Sequence, residues 1–297
     1  MTLKGPGDGL LPIDKPTGPT SHDIVARGRR ALGIRRIGHS GTLDPFASGL
    51  LLLLVGGATR LAEYLAPLPK EYVARVRLGI RTSTDDPEGE VVAESDEWHG
   101  LSLEAVETAL EPLRGEIEQM PPRYSAKKVA GRPAHRRVRA GEDVVLEPAK
   151  VVIHEIAVEA FDLPWVAFRV RCSTGTYIRA LARDLGESLG VGAHLAELRR
   201  TRIGPFRVED ALPVGELELE ESVSRALVSP LDALGHIERV DLDEESAARV
   251  RMGQFLAADA YGLPAEKSLL ALSCGGQLVA VASVQEGRIR PRKVMAR

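Results

Sequence analysis

Cysteine is almost absent from this sequence, and the two that occur, Cys172 and Cys274, lie far apart. Two distant cysteines exclude a disulfide framework and a four-cysteine metal site, and this usage is typical of a reducing compartment. Long apolar runs are absent as well, since the longest covers residues 50–55 and is too short to span a bilayer. The first residues contain no apolar core of signal-peptide length. We therefore expect a soluble, cytoplasmic protein that does not enter a membrane.

Familiar cofactor and metal motifs are also missing. The chain has no glycine-rich loop ending in Gly-Lys-Ser/Thr, no Gly-x-Gly-x-x-Gly after a strand and no Gly-x-Ser-x-Gly elbow. Seven scattered histidines and two distant cysteines give no zinc spacing. The chemistry that is left is a site built from a carboxylate, tyrosines and arginines, for which we expect neither a cofactor nor a metal.

Charge is unevenly distributed along the chain, although the net charge is only −3. Residues 24–43 carry five arginines and no acid, whereas residues 209–245 carry twelve acids and two arginines. A second acid-free stretch, 119–141, holds seven cations: Arg123, Lys127, Lys128, Arg132, Arg136, Arg137 and Arg139. One interpretation is a set of solvated charged faces, and the other is a positive surface for a polyanion.

Periodicity predicts a mixed α+β protein. A helix should begin near Ser21 and end at Gly33, and the apolar run 50–55 should form a strand buried on both faces. Strict alternation over residues 71–81 predicts a strand with one face covered. Strands are also predicted at 91–93, 151–160 and 165–172, and in the C-terminal stretches 269–273, 278–284 and 289–295. Helices are predicted over 101–113, from 176 onward and over 193–204, with a helical linker over 209–245.

The loop "GHSGTLDPFASG", residues 38–49, contains the first candidate for chemistry, Asp44. Asp before Pro often begins a turn, so Asp44 can be a purely structural residue. The loop nevertheless leads into an apolar strand, where a partly desolvated carboxylate becomes a stronger nucleophile or base. Tyr72 lies on the covered face of its strand, and Tyr177 and Arg179 open a helix. An arginine near a helix N-terminus opposes the helix dipole and therefore requires a nearby anion, for which Asp44 is the obvious candidate.

Five segments resemble the bacterial tRNA pseudouridine-55 synthases, the TruB class, in order and spacing. They are "IDKPTGPTSHD", "GHSGTLDPFASGLLLLLVGGATR", "KEYVARVRLGIRTSTDD", "QMPPRYSAKKVAG" and "CSTGTYIRALARDLGESLGVGAHLAELRRTRIGPF". The resemblance extends from about residue 10 to residue 206. It implies the pseudouridine synthase fold: a mixed, largely antiparallel central sheet with flanking helices, followed by a small β-barrel-like domain.

The resemblance also implies the reaction, which is isomerisation of uridine 55 in the T loop of tRNA to pseudouridine. Asp44 matches the catalytic aspartate of the family, Tyr72 the tyrosine that stacks on the flipped base, and Arg179 the arginine that pairs with the aspartate. Tyr177 and Leu198 match residues that line the uridine pocket, His39 one that braces the disturbed T loop, and Lys15 a lysine near the site. Whether the aspartate attacks the sugar, attacks the base or removes a proton is left open.

The domain organisation follows from the same resemblance. Residues 1–236 would form the catalytic domain, with a basic "thumb" insertion at about 121–147 that grips the RNA backbone. Residues 237–297 would form a PUA-like RNA-binding domain. The thumb departs from the family pattern, because "RPAHRRVRAG" places His135 where relatives have an aromatic residue.

Partner expectations are the T-stem loop of tRNA, no obligatory protein partner, and a monomer. Two other functions compete with this one. The first is a non-catalytic tRNA-binding or folding protein that still has the uridine pocket. The second is a guide-RNA-dependent pseudouridine synthase subunit. The joint presence of Asp44, Tyr72 and Arg179 argues against the first, and the bacterial-type motifs argue against the second.

Overall fold

The computed structural model describes residues 7–122, 128–129, 132–133 and 146–295 of the chain. Six α-helices lie within these residues: α1 Ser21–Leu32, α2 Ala62–Leu65, α3 Leu103–Leu110, α4 Ile178–Ser188, α5 Glu220–Ala226 and α6 Glu244–Arg251. The strands are β1 Gly9–Lys15, β2 Ile37–His39, β3 Ser48–Val55, β4 Lys70–Leu78, β5 Ile80–Thr82, β6 Val91–Glu94, β7 Gly115–Gln119, β8 Lys128–Val129, β9 Arg132–Pro133, β10 Ala149–Asp162, β11 Trp165–Cys172, β12 Ala193–Ile203, β13 Phe206–Arg207, β14 Leu212–Pro213, β15 Arg239–Asp241, β16 Leu256–Ala257, β17 Lys267–Cys274, β18 Gln277–Gln285 and β19 Arg288–Val294.

A ten-stranded mixed sheet forms the centre of the molecule. Its strand order is β14–β1–β3–β12–β4–β11–β10–β7, with β2 paired to β3 and β13 paired to β12. Within the described residues, β1 with β14 and β3 with β12 pair in parallel, and the other neighbours are antiparallel. The predicted α+β class with a mixed, largely antiparallel sheet is confirmed.

The first helix shows how the sequence sets a helix boundary. Thr20 caps α1: its side chain accepts from the amide of Asp23, and the Asp23 carboxylate accepts from the Thr20 amide at 2.8 Å. Gly33 ends the helix with a φ of 65°, a left-handed conformation that glycine adopts without steric cost. The predicted start was therefore right to within one residue. Ser21, near which the helix was predicted to begin, is its first residue and is buried.

The strands β3, β4 and β11 carry much of the buried apolar surface of the large sheet. Seven of the eight residues of β3 are buried, as expected for a strand covered on both faces. In β4, every second side chain from Lys70 to Leu78 is buried, which confirms the predicted one-sided strand. That covered face packs with Phe168 of β11 against the helices α3 and α4.

The predicted helix over residues 193–204 is wrong, because this segment forms β12 in the middle of the sheet. Two bulges interrupt its pairing with β4, one between Leu195 and Glu197 and one between Arg200 and Arg202. Each bulge adds a residue and shifts the alternation, so Leu195 and Leu198 face the same core at a spacing of three. That spacing imitates a helix, and the buried Arg200 hides the strand period further.

Other boundaries differ from the sequence prediction by a few residues. The helix expected over 101–113 is reduced to α3, with short 3₁₀ turns at 97–100 and 111–113. The acidic stretch 209–245 is not simply a helical linker. It adds the edge strand β14 to the large sheet, and its apolar side chains Leu212, Val214, Leu217 and Val223 pack against α1 and β3.

A second, five-stranded sheet follows in the order β15–β17–β18–β19–β16. The predicted C-terminal strands are confirmed by β17, β18 and β19. Its residues Ala271, Val281 and Met295 share an apolar cluster with Leu52 and Leu54 of β3. Of the helices in the described ranges, none is long and apolar enough to cross a membrane.

Candidate active site

A cleft of about 910 Å³ opens beside β4 and contains most of the candidate residues. Asp44, Tyr72, Tyr177, Arg179 and Leu198, which the sequence singled out separately, all line it. Asp86, Lys70 and Arg200, which the sequence interpretation did not single out, line it too. His39 and Lys15 are not among the lining residues.

The loop that carries Asp44 is fixed to the body of the protein from the side of α1. The buried hydroxyl of Ser21 accepts from the Leu43 amide at 2.8 Å and donates to the Leu43 carbonyl at 3.0 Å. The Nζ of Lys15 donates to the carbonyls of Pro16, Pro19 and Pro45 at 2.9, 2.8 and 3.3 Å. The residues on both sides of Asp44 are therefore anchored, and Lys15 acts beneath the loop rather than in the cleft.

Arg200 fixes the same loop from the side of β12. Its guanidinium donates to the carbonyl of Leu50 at 2.7 Å, of Gly41 at 3.2 Å and of Thr42 at 3.3 Å. Gly49 allows this close approach of the two chains: its φ is +103°, and a Cβ there would lie 2.3 Å from the Arg200 carbonyl oxygen. Glycine is required at this position for both reasons.

Arg179 joins two carboxylates in the cleft. Its Nε lies 3.1 Å from Oδ2 of Asp44, and its Nη1 lies 2.9 Å from Oδ2 of Asp86. It also donates to the Thr84 carbonyl at 3.1 Å. The side chain of Asp44 is 36% exposed, whereas those of Arg179 and Asp86 are 7% and 5% exposed. Asp86 and the Thr84 carbonyl thus fix the guanidinium of Arg179 on its buried side. Its Nε contacts Asp44, whose carboxylate solvent and ligands can reach.

Burial and neighbouring charges act on the Asp44 carboxylate in opposite directions. Desolvation in the cleft raises the pKa of Asp44 above its ordinary value, and this is the largest effect. The Arg179 cation opposes that rise, and the Asp86 charge adds to it. The result is a carboxylate that is poorly hydrated yet paired with a fixed cation, which favours action as a nucleophile or base.

Tyr72 lies on the covered face of β4 and is only 9% exposed. Burial raises the pKa of its hydroxyl, while the charge of Arg200 and a hydrogen bond from it lower that pKa. The phenol therefore stays protonated at neutral pH. Its ring forms part of the cleft wall next to Leu198, so the two residues offer an apolar surface for a flat ligand.

Tyr177 occupies the cap position of α4 and is tied to the end of β7. Its amide donates to Oε1 of Gln119 at 2.8 Å, and its carbonyl accepts from Nε2 of the same side chain at 3.0 Å. Arg183, one turn further along α4, donates to the Met120 carbonyl at 3.0 Å. The start of α4, which carries Arg179, is therefore braced against the strand that leads into the basic segment.

His39 lies on β2, opposite Leu53 of β3. Burial lowers its pKa, so its imidazole is neutral at neutral pH. Arg123, Lys127, Arg136, Arg137 and Arg139 lie outside the described residues, as do His135 and the side chains of Lys128 and Arg132. Within the described ranges, no group of three or more His, Cys, Asp or Glu side chains could hold a metal ion.

Four residues of the site were not found from the sequence: Asp86, Arg200, Lys70, and Ser21 as the residue that fixes the Asp44 loop. Asp86 lies in "TSTDDPEGE", which looks like an ordinary turn, and its partner is 93 residues away. Arg200 was hidden in the segment that imitates a helix. A usable signal existed for Asp86, because Arg179 has five donors and one carboxylate does not satisfy them.

Two family models match adjacent parts of the chain, which together span residues 29–234. The first, described as the TruB family pseudouridylate synthase N-terminal domain, covers residues 29–178 and includes Asp44 and Tyr72. The second, described as the tRNA pseudouridylate synthase B C-terminal domain, covers residues 179–234 and begins at Arg179.

Similar proteins cover nearly the whole chain. A protein of Thermobifida fusca named tRNA pseudouridine synthase B is 46% identical over 97% of this chain and 99% of its own length. One of Azoarcus with the same name is 42% identical over 97% and 95%. Among solved structures, an H/ACA RNP bound to a substrate RNA containing 2′-deoxyuridine matches with a TM-score of 0.76 and 27% identity, over 97% of this chain and 85% of that chain. A Cbf5-Nop10-Gar1 complex matches with a TM-score of 0.76 and 28% identity, over 96% and 84%.

Proposed function

The chain belongs to the TruB family of pseudouridylate synthases, and on that premise we propose that it isomerises uridine to pseudouridine in tRNA, at position 55 of the T loop. The observation that carries the proposal is the pair of Asp44 and Arg179, 3.1 Å apart, in a cleft with Tyr72. A protein that only binds or folds tRNA needs no such partly desolvated carboxylate. The trio therefore favours an enzyme.

The reaction needs a nucleophile or base, proton transfer and a closed pocket, and the site supplies groups for each. The N1–C1′ glycosidic bond breaks, a C5–C1′ bond forms, C5 loses its proton and N1 gains one, so no oxidant or energy source is consumed. Asp44 is the catalytic carboxylate, and Arg179 keeps it ionised and oriented. Tyr72 stacks on the uracil and can transfer a proton, because its hydroxyl stays protonated at neutral pH.

The target base must leave its stack before Asp44 can reach it, so the enzyme acts on a flipped nucleotide. Tyr72, Tyr177 and Leu198 line the pocket that receives the base. His39 is neutral and contacts the RNA loop from which the base has been removed, since a neutral imidazole can enter base stacks without a counter-ion. Lys15 keeps the Asp44 loop in place.

The affinity for tRNA comes from cations outside the pocket. Arg123, Lys127, Lys128, Arg132, Arg136, Arg137 and Arg139 contact the RNA backbone from the thumb at about 121–147. Residues 237–297, which contain the five-stranded sheet, act as a PUA-like RNA-binding domain beside the catalytic domain 1–236. Affinity from such contacts depends strongly on salt.

The protein acts as a cytoplasmic monomer on the T-stem loop. A guide-RNA-dependent subunit is the competing assignment, because the two solved relatives are parts of RNA–protein assemblies. Their identity to this chain is 27% and 28%, against 46% for a relative named as a tRNA enzyme. The higher identity favours the stand-alone enzyme.

The test is to incubate the purified protein alone with an unmodified tRNA transcript and to map pseudouridine at each uridine. We expect complete conversion at position 55 and no conversion elsewhere. Asp44→Asn should abolish the reaction and keep tRNA binding, whereas Glu63→Gln, at an acid that pairs with Lys293 and does not line the cleft, should leave the rate unchanged. Conversion by Asp44→Asn would refute the catalytic assignment. A requirement for an added guide RNA would favour the other assignment.

A further inference from the structure

A buried lysine in the cleft wall has no part in the reaction described above. Lys70 begins β4, two residues before Tyr72, and it is 6% exposed. It lines the cleft together with Tyr72 and Arg200. Its Nζ donates to the carbonyl of Ala66, which uses one of the three donors of a protonated lysine.

Lys70 lacks a carboxylate partner among the residues that the structure describes. No carboxylate oxygen of the described residues lies within 4.0 Å of its Nζ, and the charged and titratable groups that act on it are Arg200 and the thiol of Cys172. Arg200 repels the ammonium, and burial lowers the pKa of Lys70 to about 8. A buried cation without an anion lowers the stability of a protein, and an anionic ligand in the cleft would offset that cost.

The surroundings of Lys70 indicate which part of the RNA its ammonium group binds. Asp44 and Asp86, two of the acids that line the cleft, form ion pairs with Arg179 and have no oxygen within 4.0 Å of the Lys70 Nζ. The segment 173–176, which follows the partner of Lys70 on β11, also lines the cleft and contains no acid. Lys70 therefore lies in a part of the cleft wall without a neighbouring carboxylate among the described residues, and the anionic group that RNA can place there is a backbone phosphate.

We propose that Lys70 forms a phosphate subsite inside the cleft, which binds the backbone phosphate of a nucleotide next to the flipped uridine. The inference rests on the proposed function, since it assumes that RNA fills the cleft. Lys70 then holds the RNA backbone near Tyr72, while Asp44 and Arg179 act on the flipped nucleotide. It is a substrate-binding residue and does not touch the reacting atoms.

The experiment measures binding of an unmodified tRNA transcript to Lys70→Met in an Asp44→Asn background, so that the RNA is not converted. We expect about 10- to 100-fold weaker binding at low salt, as for the loss of a hydrogen bond to a charged group. Between about 50 and 200 mM salt, the slope of log K against log salt should decrease by roughly 0.7–0.9, the value for one phosphate contact. Lys70→Arg keeps the charge and should retain the slope.

Arg225→Met is the matched control, because it removes one exposed cation from the acidic stretch 209–245. It should leave the slope unchanged. In an otherwise wild-type chain, Lys70→Met should raise KM more than it lowers kcat, and thermal melts establish that the variant is folded.

Two results would overturn the inference. Unchanged affinity and slope in a folded Lys70→Met protein would remove the phosphate contact. A fall in kcat at unchanged affinity would place Lys70 at the base instead. Failure of the wild-type protein to modify the transcript would refute the proposed function itself, which the same assay detects separately.

Discussion

Asp86 and Arg179 form a buried ion pair, with Oδ2 of the acid 2.9 Å from Nη1 of the arginine and neither side chain more than 7% exposed. This pair holds the guanidinium that contacts Asp44 on its other side. The position of the catalytic candidate therefore depends on an acid in the loop between β5 and β6. A ligand cannot reach Asp86 as it reaches Asp44, so Asp86 acts by positioning Arg179.

Asp86→Asn should lower kcat by roughly 10- to 100-fold, because a misplaced Arg179 no longer fixes Asp44 in a reactive geometry. Affinity for tRNA should stay close to that of the wild type. The Asp86 charge also raises the pKa of Asp44, so its removal should shift the acid limb of the pH–rate profile to lower pH. Asp85→Asn is the matched control, since Asp85 pairs with Arg183 instead. An Asp86→Asn enzyme with wild-type kcat and acid limb would contradict this role.

Asp44→Asn should make the free protein more stable at neutral pH. Burial raises the pKa of Asp44 above 3.8, so the folded state holds its proton more tightly than the unfolded state. The stability of the wild type then decreases as pH rises through the window between the unfolded and the folded pKa of Asp44, because the buried carboxyl group becomes charged there. The melting temperature of Asp44→Asn should exceed that of the wild type at pH 7. The difference should shrink as the pH approaches 4, and a variant less stable than the wild type at pH 7 would contradict this.

The pair of Asp44 and Arg179 was reached from sequence because each residue raised a local physical problem. A carboxylate before an apolar strand needs a cation, and an arginine at a helix start needs an anion. The structure places them 3.1 Å apart. The alternating strand β4 and the buried strand β3 were also predictable, because their patterns have a single period.

The other features of the fold and of the site depend on contacts between residues far apart in the sequence, which no local pattern predicts. The bulges of β12 shift its alternation, so the strand carrying Leu198 and Arg200 was predicted as a helix. Asp86 belongs to a turn-rich segment, and nothing nearby marks it as different from Asp85. Burial of Ser21 could not be predicted either, since its hydroxyl is occupied by a residue 22 positions away.

Ser21→Ala should destabilise the protein by about 1–3 kcal/mol, because the amide and carbonyl of Leu43 lose their buried partner. The Asp44 loop should loosen as a result, so kcat should fall while the affinity for tRNA persists. Thr20→Ala, one residue earlier, removes the cap of α1 and should cost about 1 kcal/mol. Urea unfolding measures the loss of stability in each variant, and kcat measures the effect on the Asp44 loop. Comparing the two variants therefore separates these two effects. Equal kcat values for both would contradict the role of Ser21 in the loop.

Lys15 and Lys70 are both buried lysines with a pKa of about 8, yet replacement by methionine should change stability in opposite directions. Lys15 donates to three backbone carbonyls, so Lys15→Met should destabilise the fold by about 1–3 kcal/mol. Lys70 donates to one carbonyl, so Lys70→Met mainly removes the cost of burying a charge and should raise the melting temperature by roughly 2 °C or more at pH 7.

The pH dependence checks the cause of the second effect. Between pH 8 and 10.5 the folded protein has released the Lys70 proton and the unfolded chain has not, so wild-type stability from this group rises with pH. The advantage of Lys70→Met over the wild type should therefore be largest below pH 8 and should disappear toward pH 10.5. Parallel melting curves for the two proteins across that window would show that the charge of Lys70 is not the cause.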